Sequence, residues 1–394
     1  QAQYPGVERV AEPYLALAGV RIEPRAHTRH DMSSGYGIRT CLEGFTLLDI
    51  ATRKQTPVTL PEGACPGGAS WAPDGSRIAF SNTTDTTVEL WVADARTGAA
   101  SRIDGIHLNT ILGSSFEWLS DGNRLLAKEV PGDIGPAPKK SPVPPGPDIK
   151  DATESSGESS TYEARDTLSS PEDEAVFTYY ATSRLVTVDV DSGTLARVGE
   201  AGVIGEVSAA PDGRHVLIET LQRPYSYVTT WERFARDVTV LDLSSGKSHL
   251  IAQLPVAESV PVRGVPTGPR DHTWRANEPA TLLFTEALDG GDLRNEVPER
   301  DRVLMWRAPF KRTPVEIART KYRYAGLSWF EKGSQALLTQ FDANKRWLNV
   351  ALVDVDKPRQ AARVLSVTPT PAARCTALCR RVGACCTRTM VTFS

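Results

Sequence analysis

Few residues in this chain stand in a pattern that could do covalent chemistry. A serine nucleophile of the α/β-hydrolase kind needs a strained strand-to-helix turn, Gly-x-Ser-x-Gly, and that pattern is absent from the 394 residues. So are His-Glu-x-x-His, a phosphate-binding glycine loop and a dinucleotide fingerprint. His27 and His30, three apart, could offer imidazoles from one helical turn. No third ligand stands near them and Arg29 lies between, so no metal is expected there. Cys375, Cys379, Cys385 and Cys386 could hold zinc as four thiolates, yet the adjacent pair fits standard ligand spacing poorly. Cys41 and Cys65 are the only cysteines before them, either paired across neighbouring strands or left as two free buried thiols. These groups predict no catalytic residue, no metal and no cofactor.

The aspartates have a different use. Asp74 and Asp212 sit between Pro and Gly, and Asp94, Asp189 and Asp242 stand a few residues before Thr97-Gly98, Ser192-Gly193 and Ser245-Gly246, turns where a carboxylate can accept backbone N–H groups ahead of it. The unit SWAPDGSRIAFSNTTDTTVELWVADARTG, Ser70 to Gly98, shows why they recur: turn, strand, gap, strand ending in Asp, turn. Its start returns at Trp118, Ala209, Trp274 and Trp329, at intervals of 47, 91, 65 and 55 residues. Its strand end returns at Asp49, Asp189, Asp242 and Asp354. Common propeller blades repeat at roughly 40 to 50 residues, so several units must carry insertions. The pattern predicts an all-β fold, a β-propeller of about six to seven four-stranded blades. Blades are expected over residues 44–60, 70–103, from 116, 207–254, 272–318 and 327–365.

Around that body, residues 1–42 form an N-terminal segment with one strand expected within Tyr14–Ile22, and 43–365 form the propeller. Residues 131–170, rich in Pro and then Ser, interrupt the third blade as a surface excursion. It ends in a short helix: Ser170 caps, Pro171 suits the first turn, Glu172 to Glu174 favour the dipole, and Val176, Phe177 and Tyr180 share a face. Residues 366–394 break the strand pattern with Arg, Ala, Thr, Pro and Cys, the composition expected of out-of-frame translation from a GC-rich gene. The isolated chain is expected to be aggregation-prone or only partly ordered after about residue 365. With a net charge of −3 and no clustered basic face, no nucleic-acid partner is expected. No apolar run approaches the ~18 residues of a membrane span. A chain starting at Gln1 leans to a periplasmic or secreted location, with cytoplasm and plastid left open.

The run TGPRDHTWRANEPATLLFTEALDGGDLRNEVPERDRVLMWRAPF, Thr267 to Phe310, resembles the propeller of the prolyl oligopeptidase family, in its glutamyl-endopeptidase-like branch. Ser81–Asp85 with Glu89–Val92, Glu174–Ser183, Arg223–Tyr227 and Leu254–Ser259 fit the same resemblance, which covers about Glu12 to Leu365. It implies a serine peptidase in two parts, a propeller that restricts access and a C-terminal α/β-hydrolase domain carrying Ser, Asp and His, cleaving after acidic residues. This chain is expected to be the substrate-gating propeller with the hydrolase domain missing, inactive alone, its partners peptide substrates reached through that missing domain. The alternative is a stand-alone propeller that binds proteins or peptides. Reading an acidic side chain needs a cation, and arginine's fork suits a carboxylate. Arg223, Arg270, Arg294 and Arg300, in or beside the long loops of blades four and five, are the substrate-binding candidates.

Overall fold

The computed structural model describes residues 14–30, 41–138, 164–261, 263–357 and 362–369. Every strand pairing among them is antiparallel. Strands β1 (Leu15–Leu17), β2 (Val20–Glu23) and β3 (Thr28–Arg29) make a small sheet, and β4 (Thr46–Leu48) pairs with β5 (Gln55–Pro57). Blade two is β6 (Pro66–Trp71), β7 (Arg77–Thr83), β8 (Val88–Asp94) and β9 (Ala100–Ile103). Blade three takes β10 (Phe116–Trp118), β11 (Arg124–Glu129), β12 (Thr182–Asp189) and the first part of β13 (Leu195–Ala209). Blade four takes the rest of β13, β14 (His215–Leu221), β15 (Arg236–Asp242) and β16 (Lys247–Leu254). Blade five is β17 (Arg270–Trp274), β18 (Thr281–Ala287), β19 (Asp301–Arg307) and β20 (Val315–Thr320). Blade six is β21 (Arg323–Trp329), β22 (Gln335–Asp342), β23 (Trp347–Asp354) and β24 (Arg363–Pro369).

The turn aspartates do the work read from the sequence. Asp94 accepts the N–H groups of Arg96 and Thr97 at 3.0 and 2.7 Å, Asp189 that of Ser192 at 2.8 Å, and Asp242 that of Ser244 at 3.0 Å. Asp49 accepts from Thr52 at 2.9 Å in the same way, so β4 and β5 correspond to the third and fourth strands of a blade. Asp74, Asp121 and Asp212 close the turns between first and second strands.

Blades two to five are packed on both faces against their neighbours, which is why their central strands read as apolar runs, whereas blade six packs on blade five alone and its β24 is exposed. Ile78 and Phe80 pack with Phe45 and Leu47 of the β4–β5 pair, while Ala79, Leu90 and Val92 meet Leu125, Ala127 and Val186 of blade three. The seams continue through Leu126 and Ile204, Val240 and Leu282, and Met305 and Leu338. The repeated tryptophan has a hydrogen-bonding reason as well. Trp118 Nε1 donates to the Ser70 carbonyl at 3.0 Å and Trp274 Nε1 to that of Ser208 at 2.9 Å, latching the first strand of one blade to that of the blade before. First strands β6, β10, β13 and β17 touch in succession, so they surround the propeller axis.

Helix α1 (Pro171–Ala181) follows the expected design, with the Ser170 hydroxyl accepting the Asp173 N–H at 3.1 Å. Val176 and Phe177 are buried, and Tyr180 packs beside them. The N-terminal segment departs from expectation: three strands stand where one was expected, because β1 to β3 need no long apolar run when they lie on a ready-made surface. Leu17, Val20 and Ile22 close over α1 together with Tyr225, Trp231 and Phe234 of the long blade-four loop. Cys41 and Cys65 are joined as a disulfide, which resolves the two open alternatives. Strand β24 reaches Pro369, past the expected propeller end at 365. Residues 139–163 of the insertion and the tail cysteines Cys375, Cys379, Cys385 and Cys386 lie outside the described residues. No described helix is long and apolar enough to cross a membrane.

Candidate functional site

The first strand of blade five is irregular where it faces the axis. Arg270 pairs with Thr285 and Thr273 with Leu283, so the register slips by a bulge between them, and Asp271 holds φ at 55°. A non-glycine residue in that region is uncommon and bulges re-aim side chains, so three consecutive polar residues are turned out of the ordinary alternation. The Thr285 hydroxyl donates to Asp271 Oδ2 at 2.8 Å and fixes the kink.

What the bulge presents is a cleft of about 690 Å³, within the range of ligand sites. One wall is apolar, with Pro255, Val256, Pro261, Val265 and Pro266, and Arg270, Asp271 and His272 lie at the cleft together with Glu219 and Arg236. Glu219 and Arg236 pair with each other at 2.9 Å. Arg270 is 10% exposed at its side chain. Its Nη2 reaches Asp301 at 2.9 Å and its Nε reaches Asp271 at 3.3 Å, while its buried Nη1 has no hydrogen-bond partner. His272 Nε2 is buried and without a partner too. Burial lowers the pKa of His272 against the opposing pull of Glu219 and Asp271, so the ring is neutral at pH 7.

Arg270 is held from below by a charged network. Asp301 Oδ1 accepts from Arg323 at 2.8 Å as well as from Arg270, and its Oδ2 takes the Tyr324 N–H at 2.7 Å. Arg323 continues to Asp289 at 2.7 and 2.5 Å, and Arg300 meets Asp289 at 2.6 Å. Burial opposes ionisation of Asp289, but the hydrogen bonds from Arg323 and Arg300 outweigh it and its pKa is lowered.

The four arginines singled out from the sequence therefore occupy different settings. Arg270 and Arg300 meet through this network, Arg270 at the cleft and Arg300 beneath it, also donating to the carbonyls of Leu293 and Asn295 at 3.1 and 3.2 Å. Arg294 lies on Asp292 at 2.7 Å and is mostly exposed. Arg223 donates to the Thr178 hydroxyl at 2.7 Å and stacks over Tyr225, tying the long loop to α1. His272, Asp289, Asp301 and Arg323 were not singled out. The first three stand inside the distinctive run from Thr267 to Phe310, but nothing in the local pattern marks Arg323. His27 and His30 do not converge: His27 lies against Tyr180 and His30 against Tyr14. Among the described residues no group of three or more His, Cys, Asp and Glu is placed to hold a metal.

Further round the axis, Glu117 of β10 is half-buried with its Oε1 closed off and unpartnered, and burial, with Glu206 nearby, pushes its pKa up to about 7. Lys128 is fully buried, its ammonium reaching the carbonyls of Leu112, Ile204 and Gly205, and burial brings its pKa down to about 7. A carboxyl whose folded pKa is raised contributes stability that is complete below its unfolded pKa and lost as pH rises through the folded one. From about pH 4.5 to 7 the penalty from Glu117 should grow from near zero to on the order of 3 kcal/mol relative to a non-titrating residue. Thermal melts of Glu117→Gln and the parent across pH 4.5 to 8 should therefore diverge with rising pH, the parent losing more. Parallel profiles would show that Glu117 ionises freely in the fold.

No protein-family model matches the chain. Over 376 residues, 92% of this chain, it is 33% identical to a protein of Oryza sativa subsp. japonica named "Probable glutamyl endopeptidase, chloroplastic", of which the match covers 39%. Over 340 residues, 82% of this chain, it is 34% identical to the protein of the same name from Arabidopsis thaliana, covering 34% of it. The chain thus spans between a third and two fifths of the length of these relatives. A solved prolyl endopeptidase aligns with 84% of this chain and 40% of its own at 12% identity and a TM-score of 0.49.

Proposed function

Because the chain matches the propeller portion of the prolyl oligopeptidase family, in its glutamyl-endopeptidase-like branch, we propose that it admits and screens peptides for a serine peptidase that cleaves after acidic residues. The bond-breaking chemistry is assigned to the part of the relatives' length that this chain does not span. No described residue is given a catalytic role.

The observation that carries the screening role is the cleft at the β17 bulge. It opens beside the first strand of blade five, has an apolar, proline-lined wall suited to an extended peptide, and holds an arginine with an unused N–H. A carboxylate arriving there gains a charge-assisted hydrogen bond in a partly dry site, whereas an amide does not. Arg300 and Arg323 act on this reading through Asp289 and Asp301, by holding Arg270 in place. Arg223 and Arg294 would serve the loops around it.

The test is made in a full-length, active relative by changing the arginine that aligns with Arg270 to alanine. Loss of a hydrogen bond to a charged group costs about 1.5–3 kcal/mol, so kcat/KM for a Glu substrate should fall roughly tenfold to a hundredfold. The Gln counterpart should fall far less. An unchanged preference for Glu over Gln overturns the assignment.

A further inference from the structure

We propose that Arg270 and His272 form a single carboxylate receptor in the β17 cleft, in which one carboxylate oxygen accepts from Arg270 Nη1 and the other meets His272 Nε2, so that binding is linked to protonation of the imidazole. The kind of ligand, a peptide, rests on the screening function proposed above. The chemistry of the receptor rests on the site itself.

Two buried nitrogens without partners, two residues apart on one strand and on one cleft, are a costly arrangement. A buried polar group left unsatisfied costs about 1–3 kcal/mol, and native structures keep few of them. Strain is stored at the same place, in Asp271 at φ 55° between the two residues. A carboxylate offers about four lone-pair sites over two oxygens and can satisfy both nitrogens at once.

The surroundings select the charge of the guest. Around the cleft stand Glu219 on β14 and Arg236 on β15, paired with each other, Glu232 and Arg233 on the turn between them, Glu258 after β16, and Asp271 on β17 itself. Asp301 of β19 lies behind Arg270, and Tyr324 of β21 lies near Asp271. With Asp271, Asp301 and Glu219 this close, a dianion such as a phosphate monoester meets strong repulsion and a single carboxylate meets little. A carboxylate beside His272 favours its charged form, so the imidazole takes up one proton from water as the peptide binds. Affinity should then strengthen as pH falls through the histidine range.

The experiment is calorimetric titration of the full 394-residue chain with three hexapeptides at pH 5.5 and pH 8. One is blocked at both ends with a central Glu, the second is its Gln counterpart, and the third is uncharged within but ends in a free carboxylate. The expected result is that the Glu peptide binds at least about tenfold tighter than the Gln peptide and several-fold tighter at pH 5.5 than at pH 8. His272→Gln should keep binding and lose the pH dependence, and Arg270→Lys, which retains a cation for Asp301, should lose most of the preference. Tight, pH-linked binding of the free-carboxylate peptide in place of the Glu peptide supports the same receptor and assigns its ligand to a peptide C-terminus. Equal, pH-independent binding of Glu and Gln peptides overturns the receptor while leaving peptide screening in place. Binding of none of the three overturns both. An unaltered pH dependence in His272→Gln removes the histidine from the proposal.

Discussion

Replacing Asp289 with asparagine should cost about 3–5 kcal/mol of stability and lower the thermal midpoint by roughly 10 °C. Asp289 has no exposed side-chain surface and meets Arg300 at 2.6 Å and Arg323 at 2.7 and 2.5 Å, with the Gly291 N–H on Oδ1 at 3.0 Å. Asparagine keeps the shape and one acceptor but leaves two guanidinium groups, both largely buried, facing a neutral amide. Taking one partner from a buried charge network is far more damaging than exchanging the whole network for apolar residues, because the remaining charges cannot regain water. Differential scanning calorimetry at pH 7 reads the effect directly. A loss below about 1 kcal/mol would place the network among surface ion pairs, which contribute little.

The second large effect is expected at Phe177. Its ring is fully buried, with Tyr225 edge-on at 5.4 Å and Phe234 at 6.0 Å, and it lies in the cluster that also contains Leu17, Val20 and Ile22. Phe177→Ala removes the ring that α1, the N-terminal sheet and the blade-four loop share, at a cost of about 3–5 kcal/mol. The damage should be local in its pattern. Amide exchange should accelerate most in α1, β1, β2 and the segment from Tyr225 to Phe234, and least in blades five and six. Uniform acceleration would mean that this cluster unfolds only with the whole propeller.

Much of the propeller was legible because its turns obey chemistry that repeats. A carboxylate two or three residues before the N–H it accepts reads the same at Asp94, Asp189 and Asp242, and the structure uses each one so. The Ser170 cap was legible for the same reason, since cap, first-turn proline and acidic first turn are all local. The N-terminal sheet was not legible, because strands of two to four residues borrow their stability from Phe177 and Trp231, residues far along the chain. At the candidate site, Arg270 could be named from its type and its loop, but its unused N–H could not. That depends on a one-residue slip against β18, on Asp301, which reaches Arg270 from β19, and on Arg323 of β21, which holds Asp301. Bulges and long-range ion networks leave no periodic trace, so Arg323 had no signal to be found by and His272 had only its place in the distinctive run from Thr267 to Phe310.

Strand β13 pairs with β12 along its first part and with β14 along its last, so the outermost strand of blade three runs on without interruption as the innermost strand of blade four. Blades three and four thereby share one seven-stranded sheet, while blades five and six are separate sheets whose seams are closed mainly by side chains, with a main-chain bond from the Asp212 N–H to the Pro279 carbonyl at 3.0 Å between blades four and five. This makes the ring mechanically uneven. Prising apart the third and fourth blades would mean bending or rupturing a covalent ribbon and its ladders, whereas a seam closed by side chains can part and reseal. If a bulky guest enters by sideways breathing of the ring, the hinge lies away from β13, and these two blades move as one stiff plate.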